Sequence, residues 1–204
     1  RNSRPTEFSL VFLDGDGMHA FRELSALGVD ATRDAVACVL DKHSGPTDEL
    51  EKNRELINLV RDLGKAKQAK TAVYVFRYVY ERDVYVDEQY FASAVINACS
   101  RAGVWGEALT ILLEMSERLV EADTTMYNAA VSSCGTGSQW IQALQLLVEM
   151  SARSVEADTI SYNAAVSACE KGGDWNSVLQ LLADMAYHQV ESNTITYSAA
   201  VSAC

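Results

Sequence analysis

Residues 124–158 read TTMYNAAVSSCGTGSQWIQALQLLVEMSARSVEAD, and residues 159–193 read TISYNAAVSACEKGGDWNSVLQLLADMAYHQVESN; about half of the aligned positions are identical, and no gap is needed. Tyr127 recurs as Tyr162 and Tyr197, Cys134 as Cys169 and Cys204, and Trp140 as Trp175, each time 35 residues on. Self-similarity at such a period marks a repeat array, in which one supersecondary unit stacks on the next. Within the unit, Tyr127, Ala130, Val131 and Cys134 fall on one helical face by their spacing of three and four. A turn with Gly137 follows, then a second apolar stripe of Trp140, Ala143, Leu144, Leu147 and Met150. Each unit is therefore a helix-turn-helix hairpin that cannot bury its apolar face alone and must stack on its neighbours.

Working outward, the same pattern assigns repeats to 89–123, 124–158 and 159–193, with 194–204 opening another. The second stripes of the flanking units hold Trp105, Leu109, Leu112 and Met115, and Trp175, Val178, Leu179, Leu182 and Met185; their turns hold Gly103, Gly172 and Gly173. Residues 53–88 form a divergent unit of 36 residues, with Leu56, Leu59, Val60 and Leu63 on its first face. Its second apolar run, from Ala72 to Tyr80, is rich in β-branched and aromatic residues and permits a strand; its distance from Leu63 argues for a second helix. Residues 1–52 are expected to be an irregular helical region, a degenerate repeat interrupted by Ser44, Gly45 and Pro46. The Asp14 to Gly17 segment has two of the acids of a calcium loop but Met18 at the next ligand position, and reads as a turn. The fold class is an all-α solenoid of stacked hairpins. Because the chain opens on Arg1 and closes inside a repeat unit, it is expected to be a piece of a longer protein.

No apolar run approaches the roughly 18 residues of a membrane span, so no membrane partner is expected. Four of the five cysteines, Cys99, Cys134, Cys169 and Cys204, recur at the repeat spacing, which suits neither the paired ligands of zinc nor the short reach of a disulfide. They read as small buried thiols in a reducing compartment. His19, His43 and His188 are scattered, and none stands near a cysteine or carboxylate at a meaningful spacing. No catalytic set, cofactor, metal or small-molecule substrate is expected.

The first helix of each unit carries a second, polar stripe beside its packing face: Asn128, Ser132 and Thr136, then Asn163, Ser167 and Lys171, and before them Ser93, Asn97 and Arg101. A face needing only solvation would carry Lys and Glu. Short Asn and Ser side chains can instead read a hydrogen-bonding edge, and Lys65, Arg101 and Lys171 put a cation at the far end, where a phosphate could be met.

The 35-residue hairpins, the opening pairs Tyr127-Asn128 and Tyr162-Asn163, Ala108 and Ala143 ahead of the second-helix leucines, and the closing Met115, Met150 and Met185 resemble pentatricopeptide repeats. The resemblance covers roughly 53–204; a tetratricopeptide array would have a 34-residue period and an early Trp, Leu-Gly, Tyr pattern, which this chain lacks. It implies a right-handed superhelix that binds single-stranded RNA on its concave face, one nucleotide per repeat. It further implies service in RNA processing, editing, stability or translation within a mitochondrion or plastid, alongside other RNA-processing proteins.

In that family the fifth and last residues of a unit read the base and the second packs against it. Carried over, the reading pairs are Ser93 with Asp123, Asn128 with Asp158, and Asn163 with Asn193, and Ser198 is the fifth residue of the unit beginning at 194. The packing residues are Tyr90, Thr125, Ile160 and Ile195. The pairs imply guanine, uracil and a pyrimidine in turn, while Ile57 at the fifth position of 53–88 has no hydrogen bond to offer a base. The chain departs from the family at its unit closes, LVEAD, SVEAD and QVESN, which lack the usual Gly and Pro. Its net charge of −11 and pI near 4.7 run against a polyanionic partner and leave open a protein-binding scaffold that takes a basic or extended peptide. Most acids of 89–204 lie on the second helices or in the closing loops, as with Glu107, Glu114, Glu149 and Asp184.

Overall fold

A computed structural model describes residues 18–28, 31–42, 49–82 and 86–203; the apolar run at 8–13, the turn at 14–17, the break at 44–46 and Cys204 lie outside these residues. Every regular element described is an α-helix: α1 (Met18–Leu27), α2 (Arg33–Lys42), α3 (Glu49–Lys65), α4 (Ala69–Glu81), α5 (Glu88–Ala102), α6 (Trp105–Glu117), α7 (Thr124–Thr136), α8 (Trp140–Ala152), α9 (Thr159–Gly172), α10 (Trp175–Tyr187) and α11 (Thr194–Ala203). The β-branched run from Ala72 to Tyr80 is therefore helical, its propensity overridden by a face that buries Ala72, Val73, Val75, Phe76 and Val79. The chain divides into two compact units, Arg1–Ala98 and Cys99–Cys204, the boundary falling inside α5.

In the first unit α1 packs on α2 and α3, and α4 packs on α2 and α3. Leu24, Leu40, Leu56, Leu63, Phe76, Phe91 and Ile96 are among its fully buried large side chains, with the rings of Phe76 and Phe91 stacked at 5.9 Å. Asp41 on α2 accepts the Tyr78 hydroxyl at 2.5 Å and Arg82 Nη2 at 3.1 Å, which ties α2 to the end of α4. Burial, and then the bond to Asp41, push the Tyr78 hydroxyl above its ordinary range. At Gly64 a Cβ would come within 2.9 Å of the Ala98 Cβ, so α3 and α5 approach closely there.

The second unit repeats one arrangement. First helices pack on first helices, α7 on α9 and α9 on α11, while α8 packs against both α7 and α9, and α10 against both α9 and α11. The expected first-helix face is buried at Tyr127, Ala130, Val131 and Cys134, and again at Tyr162, Ala165, Val166 and Cys169. The second-helix stripe is rotated from the expected one. Ala143, Leu146 and Met150 are the buried residues of α8, and Val178, Leu181 and Met185 the buried apolar residues of α10, whereas Leu179 is 49% exposed. In both helices a pair of adjacent leucines offers two registers at the same spacing, and packing selects one.

The closes of α5 to α10 share one device. Gly103, Ser138 and Gly173 after the first helices, and Leu119, Ser154 and Gln189 after the second, all have positive φ, between 55° and 73°. The next residue donates back to the helix, as in Val104 N to Cys99 O (3.0 Å), Val120 N to Met115 O (3.0 Å) and Val190 N to Met185 O (2.9 Å), so carbonyls left over at the helix end are satisfied. Gly137 is thus not the left-handed residue of its turn; its φ is −86°. It is glycine for another reason: a Cβ there would overlap Trp105 Cδ1, as one at Gly172 would overlap Trp140 Cδ1. The repeated tryptophan of one unit seats on the turn of the next.

Candidate nucleic-acid interface

In the repeats 89–123, 124–158 and 159–193 the last residue is the one on which the next first helix begins. Asp123 accepts the Met126 N–H at 2.8 Å and caps α7. Asp158 caps α9 in a reciprocal box: its Oδ1 accepts the Ser161 N–H at 2.9 Å, and Ser161 Oγ accepts the Asp158 N–H at 3.1 Å. Asn193 does the same ahead of α11, its Oδ1 accepting the N–H groups of Ile195 (2.9 Å) and Thr196 (3.1 Å). No proline is needed at these closes, because the side-chain cap sets where the helix starts.

Two of the three reading pairs lie wholly in the second unit, and the structure brings their members together. Asn128 on α7 donates its Nδ2 to Asp158 Oδ1 at 3.1 Å, and Asn163 on α9 donates to Asn193 Oδ1 at 3.3 Å. Asn128 and Asn163 are half-buried, leaving part of each amide open to solvent. Burial alone would raise the Asp158 carboxyl. The Ser161 N–H, the Asn128 amide, the Ser161 hydroxyl and the Ile160 N–H outweigh it and hold the group below its ordinary value, so it is ionised at neutral pH. Of the third pair, Ser93 belongs to the first unit, half-buried with its carbonyl accepting Asn97 Nδ2 at 2.9 Å, and Asp123 belongs to the second.

All four packing residues are exposed: Tyr90 at 61%, Ile160 at 63%, Ile195 at 65%, and Thr125. In successive repeats an exposed aliphatic side chain, Ile160 and then Ile195, stands two residues after the last member of a hydrogen-bonded pair. Ser198 is exposed and, with Ser167, Glu170 and Ile195, borders an open groove on α9 and α11. Arg101 and Lys171 are exposed in the last turns of α5 and α9, while Lys65 is held by Asp62 at 2.7 Å. Ile57 is half-buried on α3.

Sequence reasoning missed the hydroxyls of Ser161 and Thr196. Each is buried, and each touches the amide oxygen of the preceding reading asparagine at 2.5 Å. The signal was available, since Asp158 and Ser161 have the spacing of a capping box. Cys99, Cys134 and Cys169 are free and buried, and Cys38 is free and exposed. Among the described residues no group of three His, Cys, Asp or Glu side chains could hold a metal ion, and no helix is long and apolar enough to cross a membrane.

The pentatricopeptide repeat domain model matches residues 145–204, and the PPR repeat model matches 92–118 and 125–155. No curated protein matches the chain by sequence. Among solved structures, the pentatricopeptide repeat protein PPR10 in complex with an 18-nt psaJ RNA element is similar over 90% of this chain and 26% of its own, at 21% identity and a TM-score of 0.60. A cysteine-to-serine variant of PPR10 with the same RNA element aligns equally well. PPR10 from maize aligns over 93% of this chain and 32% of its own, at 21% identity and a TM-score of 0.55. The chain thus spans between a quarter and a third of the length of these structures, and what it shares with them is the fold. With family models on three successive stretches of the repeat array and the α-solenoid held in common, the chain belongs to the pentatricopeptide repeat family.

Proposed function

We propose that the chain binds single-stranded RNA and selects bases through the fifth and last residues of its repeats. The observation that carries this reading is the recurrence, in the second unit, of a hydrogen-bonded pair beside an exposed aliphatic side chain: Asn128 and Asp158 with Ile160, and Asn163 and Asn193 with Ile195. The aliphatic group packs against a base while the pair meets its polar edge. The two pairs differ in chemistry. Asp158 has a second acceptor oxygen, which suits the N3–H of uracil, whereas Asn193 offers an amide donor in its place, which suits the N3 acceptor of cytosine. The bound psaJ element of the PPR10 structures supports RNA as the ligand class. Family resemblance supports a setting in organellar RNA processing, editing, stability or translation.

The charge of −11 is compatible with this reading because most acids of 99–204 lie on second helices or in the closing loops, Glu170 on α9 being the exception that borders the groove. Glu107, Glu114, Glu149 and Asp184 are on second helices, whereas the reading residues Ser93, Asn128 and Asn163 are on first helices. The same charge favours the rival reading, a scaffold for a basic peptide, and one experiment separates the two. The full chain is titrated with randomised single-stranded RNA and with a lysine-rich peptide across a salt series. A preference for particular RNA sequences that moves from uracil towards guanine at one position in Asn128→Ser supports RNA reading. Binding to the peptide with no RNA preference refutes it.

A further inference from the structure

The amide of Asn128 is held at both ends, and the chemistry of its partners leaves one arrangement. Ionised Asp158 can only accept, so the Nδ2 end faces it, at 3.1 Å from Oδ1. Oδ1 then faces Ser161 Oγ at 2.5 Å. That hydroxyl already accepts the Asp158 N–H at 3.1 Å and has a single proton to give, with Asn128 Oδ1 nearer than Asp158 Oδ1 at 3.0 Å. The next repeat reaches the same arrangement with different residues. Asn193 Oδ1 is committed as an acceptor to the N–H groups of Ile195 and Thr196, so Asn163 turns its Nδ2 towards it, and the Thr196 hydroxyl meets Asn163 Oδ1 at 2.5 Å.

Helix capping accounts for only part of this. A capping box needs the hydroxyl as an acceptor; it does not need its proton delivered to a side chain of the preceding repeat. The chain's own variation follows the amide. Asn128 and Asn163 are followed by Ser161 and Thr196 at the third position of the next unit, whereas Ser93 and Ile57, which have no amide to orient, are followed by Met126 and Phe91. Those four third-position side chains are all fully buried, so the position tolerates apolar groups and the hydroxyl is not a response to solvent.

We propose that Ser161 and Thr196 are positioning residues for base selection: each hydroxyl, supplied by the following repeat, fixes the plane of the reading asparagine's amide. The last residue of the repeat sets which end of the amide points inward, and the hydroxyl stops it swinging about its terminal torsion. One N–H and one lone pair of the amide are left in a fixed order towards the base. Uracil and cytosine present donor and acceptor at N3 and C4 in opposite order; with the amide held still, the free polar atom of the last residue decides which order the pair matches, and a swinging amide blurs that choice. The inference rests on the reading proposed above for Asn128 and Asp158.

The test uses the full chain and short single-stranded RNAs that differ only at the nucleotide whose preference changes in Asn128→Ser. Ser161→Ala is expected to lower the ratio of uracil to cytosine binding at that nucleotide by about fivefold, the effect of one ordinary hydrogen bond, while ratios at other nucleotides stay unchanged. Ser161→Thr is expected to restore the ratio, as Thr196 already serves the next repeat. A purely structural role would lower stability and overall affinity and leave the ratio alone, and that result overturns the inference. Should Ser161→Ala fail to fold, Ser161→Cys keeps the volume with a weaker donor, and the same ratio decides. If no nucleotide responds to Asn128→Ser, the reading pair itself falls, and the positioning role falls with it.

Discussion

Replacing Leu119 by glycine should stabilise this protein. Leu119 closes α6 at a φ of 61°, a left-handed conformation that costs an L-residue with a Cβ roughly 1–2 kcal/mol. Its side chain is 91% exposed, so glycine sacrifices almost no packing. The backbone bond from Val120 N to Met115 O, at 3.0 Å, does not involve the side chain and is retained. Against the relieved strain stands the greater freedom of glycine in the unfolded chain, about 0.4–1 kcal/mol. The difference is a net gain of about 0.5–1 kcal/mol. Gly173→Ala is the reverse experiment: φ is 73°, a Cβ would have nothing within 4 Å, and so the whole effect is conformational and should cost about the same amount. Urea unfolding of the full chain measures both through the midpoint at constant slope. If Leu119→Gly lowers the midpoint, or Gly173→Ala raises it, the assignment of strain to these closes is wrong.

Gly172→Ala should destabilise by about 1–3 kcal/mol, since its Cβ overlaps the Trp140 ring in a packed contact. Trp140→Ala, itself costly through the cavity it leaves, should relieve much of that penalty in the double variant, and additive losses in thermal melts would separate the two sites. The thiols of Cys134 and Cys169 are pushed up to about 11 and that of Cys99 to about 12, in each case first by burial, so they should resist alkylation in the native state while Cys38 reacts. Their folded pKa values lie above the unfolded one near 8.5, so their contribution is complete below that pH and is lost as pH rises towards 11–12. Stability that is flat from pH 8 to 11 would count against their burial.

Much of this protein is legible in its sequence. The exact 35-residue recurrence of Tyr127, Cys134 and Trp140 dictates hairpins that must stack, because each has an apolar face with nothing of its own to bury it against. The packing face of the first helix also follows from spacing, and the family pattern singles out Asn128 and Asp158, which the fold brings within a hydrogen bond. The second-helix register does not. Leu146 and Leu147 satisfy the helical period equally well; in the packed unit, where α8 lies against α7 and α9, Leu146 is buried and Leu147 half-buried.

Glycine was legible as a turn residue but not in its role. Gly137 stands where a turn belongs, yet the left-handed residue is Ser138, and what excludes a side chain at Gly137 is a tryptophan from the preceding repeat. The hydroxyls of Ser161 and Thr196 show the same division. From sequence they are helix-start residues; in three dimensions they lie against asparagines 33 positions earlier. Period and polarity along the chain settle what is local to one repeat: its helices, its buried face and its caps. How one repeat's side chain is held by the next depends on distances between units, which spacing along a chain does not encode and only the folded stack decides.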